Sequence, residues 1–519
     1  MSGLRERLLR HKKPTAGSLP AIDAGGETSG AWYAAGNGAE TDVIANKGEL
    51  PPQSDSSLPA ARLESSAETA QQSEWTEIGA HMEHNEQGSF VLRRRIFDGS
   101  FQHGRYSLDE IMEQSDKLMS ILLPGDVEAE AEGLPYEKLL FLDTETTGLG
   151  VGAGNVPFMI GIGFYKGRQF IVEQMFIRHP GEEFAMLHYL EGKLKQHPYL
   201  VSYNGKTFDW PLIKNRYILN RMPAEPDIAG HLDFLYPSRS LWKHTLPSCK
   251  LGKVEEERLH VNRHEDVPGS LAPTLYFQYL AERDVRILSG VFEHNELDIL
   301  SLAGLAVHFS HVLNGRFRLS EMQLEEQYRL GLWLSKVGSA IYAEQVLEQL
   351  IANLYASPSE REAAMDYVLP AAQWYKQQHR YTEACGLWLL YVEQRGERST
   401  ASLEPYLELA MHYEHREKRP ELALFYADQA MNKAWQRQSL LRPQRKLGRT
   451  KRGQGLSEEE RKQAELLKAI EKRLVRLRNK VERAQSRDSG SIESTPARQR
   501  KPRKPAADGD MQYRMDSLF

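Results

Sequence analysis

The chain has 519 residues, 40% of them hydrophobic, and a formal net charge of −5, which allows two or three domains with at least one large core. Its two cysteines, Cys249 and Cys385, are far apart, which excludes a disulfide framework and a cysteine zinc site. No apolar run reaches about 18 residues, and the polar, basic N-terminus lacks the core of a secretory signal, so we expect a cytoplasmic protein without a membrane span.

Changes in composition indicate five segments. The first is rich in Ala, Gly, Ser, Glu and Pro and has few large apolar residues to offset the entropy of ordering. Apolar residues then return, and their spacing predicts a helix from Ser107 to Leu122. We predict, in order, a disordered N-terminal region (1–85), an N-terminal extension of the next domain (86–135), an α/β domain with a mixed central sheet flanked by helices (136–315), an all-α helical-repeat domain (320–436), and a basic helix with a disordered tail (437–519).

The most informative stretch of the α/β segment is a short apolar strand followed by two acids. The run from Leu139 to Leu142 predicts a strand buried on both faces, and Asp143 and Glu145 follow at its carboxyl end. Period-two alternation puts both carboxylates on the same side of the chain. Because buried acids are unfavourable without a compensating cation, the pattern predicts a divalent metal site, with a solvated turn as the alternative.

The next elements complete the predicted sheet. Apolar runs from Phe158 to Tyr165 and from Gln169 to Ile177 indicate a hairpin, so three consecutive strands begin antiparallel. A helix is predicted from Glu182 to Gln196, and a strand from Tyr199 to Tyr203. The polar residues after that strand place a third carboxylate, Asp209, at the start of another helix.

Three further polar residues lie downstream. Asp233 follows a short apolar run and is either an auxiliary metal ligand or a helix-capping acid. His294 and Asp298 lie four residues apart in a predicted helix and therefore share one of its faces.

Beyond about residue 320 the pattern is helical. Three segments resemble one another, and small residues recur at Ala343, Ala384 and Ala423, spaced by 41 and 39 residues. These segments resemble tetratricopeptide-type helix pairs with lengthened loops, which would bind a protein partner; an irregular helical bundle is the alternative.

The last segment is basic. From Leu441 to Lys504 it has 21 Lys or Arg against 8 Asp or Glu. Apolar residues from Leu467 to Val481 recur at heptad spacing, over too few heptads to establish a coiled coil. This helix and tail either hold nucleic acid through its phosphates or are solvated and partly disordered.

Three motifs, taken in order, resemble the exonuclease motifs of the DEDD superfamily, whose members have a ribonuclease H-like fold. They are Asp143-x-Glu145, Asn204-x₃-Phe208-Asp209, and a ring residue four positions before Asp298. The second is especially similar to that of the proofreading domains of B-type DNA polymerases. The stretch from about Phe90 to Leu313 resembles the bacterial YprB-type ribonuclease H-like proteins, whose pattern includes a glycine-rich turn after the first motif.

The resemblance implies a metal-dependent 3′-to-5′ exonuclease that acts on single-stranded DNA or RNA. It implies that Asp143, Glu145, Asp209 and Asp298 ligate two divalent ions, Mg²⁺ or Mn²⁺, and that Asn204 and Phe208 position the strand or the acidic loop. Four carboxylates in one cleft repel one another unless they are protonated or metal-bound, which agrees with such a site.

His294 departs from the better-known branches of the superfamily, because it is a histidine at the spacing where they carry a tyrosine. It is either a catalytic group that orients or deprotonates the attacking water, or a packing residue on the helix surface. Two rival functions use the same fold: a non-catalytic nucleic-acid-binding or scaffolding protein, and an endonuclease that releases internal fragments.

Overall fold

The computed structural model describes residues 74–124, 133–148, 154–222, 227–263, 266–355, 358–445 and 458–489. Most of the predicted disordered N-terminal region, the middle of the glycine-rich turn and the predicted disordered tail lie outside these described residues.

A seven-stranded mixed sheet is the centre of the fold. Its strands are β1 (Ala80–Asn85), β2 (Gly88–Asp98), β5 (Leu139–Thr146), β6 (Pro157–Lys166), β7 (Gln169–Phe176), β8 (Tyr199–Ser202) and β9 (Gly230–Asp233), while β3 (Gln102–His103) and β4 (Tyr106–Ser107) form a separate ribbon. The order is β1-β2-β7-β6-β5-β8-β9, antiparallel as far as β5 and parallel from β5 to β9. The predicted mixed sheet with an antiparallel start is confirmed, and β1 lies within the range that we predicted to be disordered.

The helix predicted from Ser107 to Leu122 is wrong. Two 3₁₀ turns, Leu108–Glu113 and Ser115–Leu118, precede a single short helix, α1 (Met119–Leu122). The Ser107 backbone N–H donates to the Glu110 carboxylate at 2.7 Å, which caps the first turn. Gln114 then leaves the helical conformation, with φ −141° and ψ 2°. The apolar residues predicted to lie on one helix are therefore distributed over short turns.

Helices cover both faces of the sheet. They are α2 (Glu183–Gln196), α3 (Asp209–Leu219), α4 (Leu235–Trp242), α5 (Leu251–Val254), α6 (Ala272–Glu282) and α7 (Ser289–Leu313). Along β5, Leu139 and Phe141 pack into one hydrophobic core, and Leu140 and Leu142 pack into the other. The strand is therefore buried on both faces, as its apolar run predicts.

The helix α7 is the longest helix of the sheet region and passes through its core. The stretch Val285–Leu313 is long and apolar enough to cross a membrane by length and composition, but 78% of its apolar window is buried inside the protein. It packs against β5, β6 and β7. These contacts are those of a core helix, and they place its first half next to the acid-bearing end of β5.

Only helices are found among the described residues after position 319. They are α8 (Leu324–Lys336), α9 (Ala340–Ala352), α10 (Pro358–Ala364), α11 (Val368–Gln377), α12 (Tyr381–Arg395), α13 (Glu404–His415), α14 (Pro420–Arg445) and α15 (Glu458–Ser489). Helix α8 packs on α9, α11 on α12, and α13 on α14. Ala343, Ala384 and Ala423 are each completely buried, so the recurring small residues mark helix contacts, while the tetratricopeptide assignment stays a prediction.

The basic helix α15 packs against α14. The residues at heptad spacing form its packing face, because Ile470, Leu474 and Leu477 are buried. Two of its cations, Arg476 and Lys480, pair with the buried Glu414 of α13 at 2.8 and 2.7 Å. This part of the basic segment is therefore docked on the helical region.

Candidate active site

The carboxyl end of β5 carries the first two predicted metal ligands, Asp143 and Glu145. Burial, reinforced by the charges of Asp298, Asp209 and Glu145, raises the pKa of the Asp143 carboxyl well above its usual value. Burial and the charges of Asp298 and Asp209 also raise the pKa of Glu145, to about 8. These carboxylates act electrostatically on one another, so they form one cluster, which we call the acid cleft.

Asp209 joins this cleft as the first residue of α3. The Thr144 hydroxyl donates a hydrogen bond of 2.5 Å to Asp209 Oδ1, which connects β5 to α3. Burial raises the pKa of Asp209 to about 6, although the Thr144 hydrogen bond favours the charged form. The loop before α3 passes close to the carboxylate, and a Cβ at Gly205 would lie 3.4 Å from Asp209 Oδ2.

Helix α7 brings His294 and Asp298 to the same cleft. His294 Nε2 lies 3.7 Å from Asp298 Oδ2 and 4.0 Å from Glu145 Oε1. The structure thus brings together the acids of all three motifs, with one imidazole nitrogen facing two of them.

Asp266, which the sequence analysis did not single out, orients His294. The two carboxylate oxygens of Asp266 lie 2.9 and 2.8 Å from His294 Nδ1. Arg263 Nη1 also lies 3.3 Å from His294 Nδ1. In the tautomer with its proton on Nδ1, the ring donates to Asp266 and its unprotonated Nε2 faces the cleft. The two residues are 28 positions apart, so no local spacing in the sequence reveals their contact.

Arg263 is a second residue that the sequence analysis missed. Its guanidinium donates to Glu255 at 2.8 and 2.6 Å, to Asp266 at 2.9 Å, and to Asp298. Burial lowers the pKa of Arg263, but the charges of Asp298 and Glu255 raise it above its usual value. Because Glu255 is completely buried, it needs such a cation, and the same cation compensates Asp298.

A chain of buried hydrogen bonds supports Asp143 from behind. Asn295 Nδ2 donates to Asp143 Oδ2 at 2.9 Å, and Gln174 Nε2 donates to Asn295 Oδ1 at 3.0 Å. Arg93 donates to Gln174 Oε1 at 2.7 Å and pairs with Glu296 at 2.9 Å. Three elements, β2, β7 and α7, therefore hold one carboxylate of the cleft in position.

Asn204 and Phe208, predicted to position the strand or the acidic loop, lie between β8 and α3. Asn204 is exposed and has a left-handed φ of 69°, a conformation that asparagine tolerates. Asp233 accepts hydrogen bonds from the backbone N–H groups of Asn204 at 2.8 Å, Lys206 at 3.0 Å and Leu235 at 3.0 Å. These bonds agree with the capping alternative for Asp233 and give the metal-ligand alternative no support.

The donor set of the cleft suits a hard divalent cation. Carboxylate oxygens are the ligands that Mg²⁺ and Mn²⁺ prefer, and a bound cation would favour the charged forms that burial disfavours. Within the described part of the chain, no three His, Cys, Asp or Glu side chains stand in metal-ligand geometry. Asp143, Asp209 and Asp298 instead accept hydrogen bonds from Asn295, Thr144 and Arg263. The residues therefore fit a divalent cation chemically, and binding that cation requires these carboxylates to reorient.

The family model for the ribonuclease H superfamily matches residues 140–310. This range contains β5 to β9 and all of the predicted catalytic residues. The sheet and its acid cleft thus define a ribonuclease H-like protein, with a nuclease-type fold.

A curated relative covers more of the chain. Uncharacterized protein YprB of Bacillus subtilis (strain 168) is 34% identical over 363 residues, which are 70% of this chain and 85% of YprB. The chain therefore belongs to the YprB family of ribonuclease H-like proteins, and that part of the sequence analysis is confirmed.

Among solved structures, the family B DNA polymerase from the archaeon Pyrobaculum calidifontis is similar over 42% of this chain and 29% of its own, with 16% identity and a TM-score of 0.28. A similarity at that level carries no argument about this chain.

Proposed function

We propose that the protein is a metal-dependent nuclease that hydrolyses phosphodiester bonds of single-stranded nucleic acid and releases mononucleotides from its 3′ end. The buried acid cluster beside His294 is the observation that carries the proposal. Buried like charges destabilise a fold, and a divalent cation compensates them. The ribonuclease H-like fold is consistent with this chemistry without specifying it.

In this proposal Asp143, Glu145, Asp209 and Asp298 hold two divalent ions, Mg²⁺ or Mn²⁺. Bound divalent ions would supply a more acidic water and charge neutralisation at the phosphate. His294 takes a proton from the attacking water at Nε2, since Asp266 holds its Nδ1.

Arg263 and two residues at the start of α3 have further roles in this proposal. Arg263 holds Asp298 through Oδ1 and leaves Oδ2 toward His294. The exposed Asn204 and the partly exposed Phe208 stand at the start of α3, where they contact the incoming strand.

A non-catalytic nucleic-acid-binding or scaffolding protein is the second candidate, and Arg263 is the observation that favours it. The guanidinium neutralises Asp298 without a metal ion, so the cleft is electrostatically partly compensated as it stands. This candidate predicts salt-sensitive nucleic-acid binding without turnover.

One gel separates the candidates. The full-length protein is incubated with 5′-labelled single-stranded DNA and RNA of one sequence, with Mg²⁺, Mn²⁺ or EDTA, next to Asp143→Asn. A metal-dependent ladder that shortens from the 3′ end and is absent in the variant supports the exonuclease. Internal fragments indicate endonuclease cutting, and intact substrate at protein concentrations that bind it supports the scaffold.

The same proposal places the protein in the cytoplasm, with a protein partner on the helical region. Phe425 and Trp435 of α14, which are 53% and 56% exposed, are the candidate contacts. Cell fractionation tests the location, and crosslinking from a photoreactive residue at position 435 tests the partner surface. Recovery in the membrane fraction, or the absence of any crosslinked protein, would contradict this proposal.

A further inference from the structure

A cavity lies apart from the acid cleft, where the sheet region meets the helical region. Its volume is about 690 Å³, and it is lined by the second half of α7, by Trp242 of α4 and by Glu326 of α8. None of the predicted catalytic residues lines it. Its volume is in the usual range for small-ligand sites, roughly 300–1,000 Å³.

The cavity has more positive charge than its acids compensate. Four arginines and three glutamates line it, and each glutamate already has a cation. Glu326 pairs with Arg258 at 3.1 Å, Glu321 with Arg318 at 3.0 Å, and Glu257 with Lys253 at 2.7 Å.

The two other arginines, Arg105 and Arg316, form no ion pair with any carboxylate among the described residues. Both are exposed, and both line the cavity. Two guanidinium groups without anionic partners at one concave surface attract an anion, and their planar donors match a phosphate.

The charges of both guanidinium groups act on the His311 imidazole, which also lies 3.1 Å from a Glu110 carboxylate oxygen. Burial lowers the pKa of His311, the neighbouring Glu110 opposes this, and the charges of Arg316 and Arg105 lower it further. The pKa of the neighbouring His308 falls to about 3, through burial and then the charges of Arg105 and Arg258. Burial and the nearby arginines therefore hold both histidines toward their neutral forms.

Aromatic rings complete the wall. Tyr106, Trp242 and Phe317 line the cavity. The polar atoms of two of them are already satisfied: Trp242 Nε1 donates to Glu326 at 2.9 Å, and Tyr106 Oη lies 2.8 Å from His308 Nδ1. Trp242 and Tyr106 are buried, and Arg258 and Arg105 lie over their rings. Phe317 is partly exposed and offers apolar contact to a planar group.

We propose that this cavity binds a phosphate ester of nucleotide size, with the phosphate at Arg105 and Arg316 and the base or sugar against the partly exposed Phe317. The ligand is either a free nucleotide or the 5′-phosphorylated end of a strand, which present the same chemistry. The proposal does not depend on catalysis at the acid cleft.

The experiment is isothermal titration calorimetry of the full-length protein in EDTA, which prevents metal-dependent turnover. The probes are AMP and a short 5′-phosphorylated oligodeoxynucleotide, titrated into wild type, Arg105→Ala, Arg105→Lys, Arg316→Ala and the double alanine variant. Arg286→Ala is the matched control, because Arg286 is an exposed arginine paired with Asp284 outside the cavity. Arg105 and Arg316 are exposed, so their removal leaves the core intact.

We expect saturable binding of at least one probe, weakened at least tenfold by each single substitution, unchanged in Arg286→Ala and partly restored in Arg105→Lys. Tighter binding of AMP identifies a free nucleotide as the ligand, and tighter binding of the oligonucleotide identifies a strand end. No saturable binding of either probe, or equal affinity in the double variant, overturns the proposal.

Discussion

Asn295 donates its side-chain amide to Asp143 Oδ2 at 2.9 Å, and this contact ties the core helix α7 to the acid-bearing end of β5. It is possible because Gly161 stands opposite Asp143 in the neighbouring strand. A Cβ at position 161 would lie only 2.7 Å from Asn295 Cγ and closer still to Oδ1. Gly161 in β6 thus leaves the space in which Asn295 of α7 reaches the carboxylate of Asp143 in β5.

Gly161→Ala should displace Asn295 and loosen Asp143. Overpacking of this kind costs roughly 1–3 kcal/mol of unfolding free energy. We expect urea unfolding to show this loss of unfolding free energy, and the labelled-strand assay to show a lower nuclease rate. The control is Gly192→Ala in α2, where nothing lies within 4 Å of the new Cβ. That helix should be stabilised, by up to about 1 kcal/mol. Equal stability of the two variants would contradict the role assigned to Gly161.

Asp143→Asn should reduce nucleotide release to background without lowering stability. The substitution removes a predicted metal ligand and replaces a buried carboxyl, whose pKa is raised well above its usual value, with an uncharged amide of similar shape. The rate is measured in the labelled-strand assay and the stability by thermal unfolding in EDTA. Asp284→Asn is the control, since Asp284 pairs with Arg286 outside the cleft. An unchanged rate in Asp143→Asn would reject the nuclease.

Without divalent ions, the protein should lose stability as pH rises. The pKa of Glu145 is raised from 4.5 to about 8, so the folded state keeps a proton that the unfolded state releases between these values. The free energy of unfolding therefore falls across that window, by at most about 1.4 kcal/mol per pH unit for one group. Asp209 adds to the fall between 3.8 and about 6.

Urea unfolding in EDTA at a series of pH values measures this fall. Mg²⁺ should stabilise the protein more at pH ~8 than at pH ~6, because it favours the charged carboxylates. Glu145→Gln should flatten the slope. The same slope in Glu145→Gln as in wild type would show that Glu145 does not carry the effect.

Asp266→Asn should lower the turnover rate by roughly 10–100-fold, the usual effect of losing a group that orients a functional residue. An asparagine cannot accept from both Arg263 and His294 as the carboxylate does. We expect kcat to fall with little change in KM, and ¹⁵N NMR should show that the His294 ring loses its preference for a proton on Nδ1. Asp266→Glu should recover part of the rate.

A double variant tests whether Asp266 affects the rate through His294. If Asp266 acts through the imidazole, the double variant Asp266→Asn/His294→Gln should be no slower than His294→Gln alone. Fully additive losses would indicate separate roles.

Arg263→Met should destabilise the protein by roughly 3–5 kcal/mol, because it leaves the completely buried Glu255 without its cation. Arg263→Lys should cost less, since it keeps the charge. Arg286→Met, on an exposed ion pair, should leave stability essentially unchanged.

Metal titration of the lysine variant then separates the two candidate functions. Mn²⁺ binding, followed by electron paramagnetic resonance, should strengthen in Arg263→Lys if the guanidinium competes with a metal for Asp298. No Mn²⁺ binding in either protein would favour the scaffold.

Much of the fold could be predicted from local patterns. The apolar run before Asp143 is a strand buried on both faces, the hairpin of β6 and β7 is present, and Asp209 opens a helix. The helix predicted from Ser107 to Leu122 was wrong, because apolar spacing alone does not reveal that Gln114 breaks the helical path. These successes and this failure both concern residues close together in the chain.

The sequence by itself determined that Asp143 shares a side of its strand with Glu145, and that His294 shares a helix face with Asp298, because strand alternation and the i, i+4 spacing of a helix fix these faces. Only the tertiary structure decided what surrounds them. Asn295 reaches Asp143 across 152 positions, and Arg263 reaches Asp298 across 35. Such contacts depend on how helices and loops pack on the sheet. The spacing of residues within one helix or strand does not give the distances between elements.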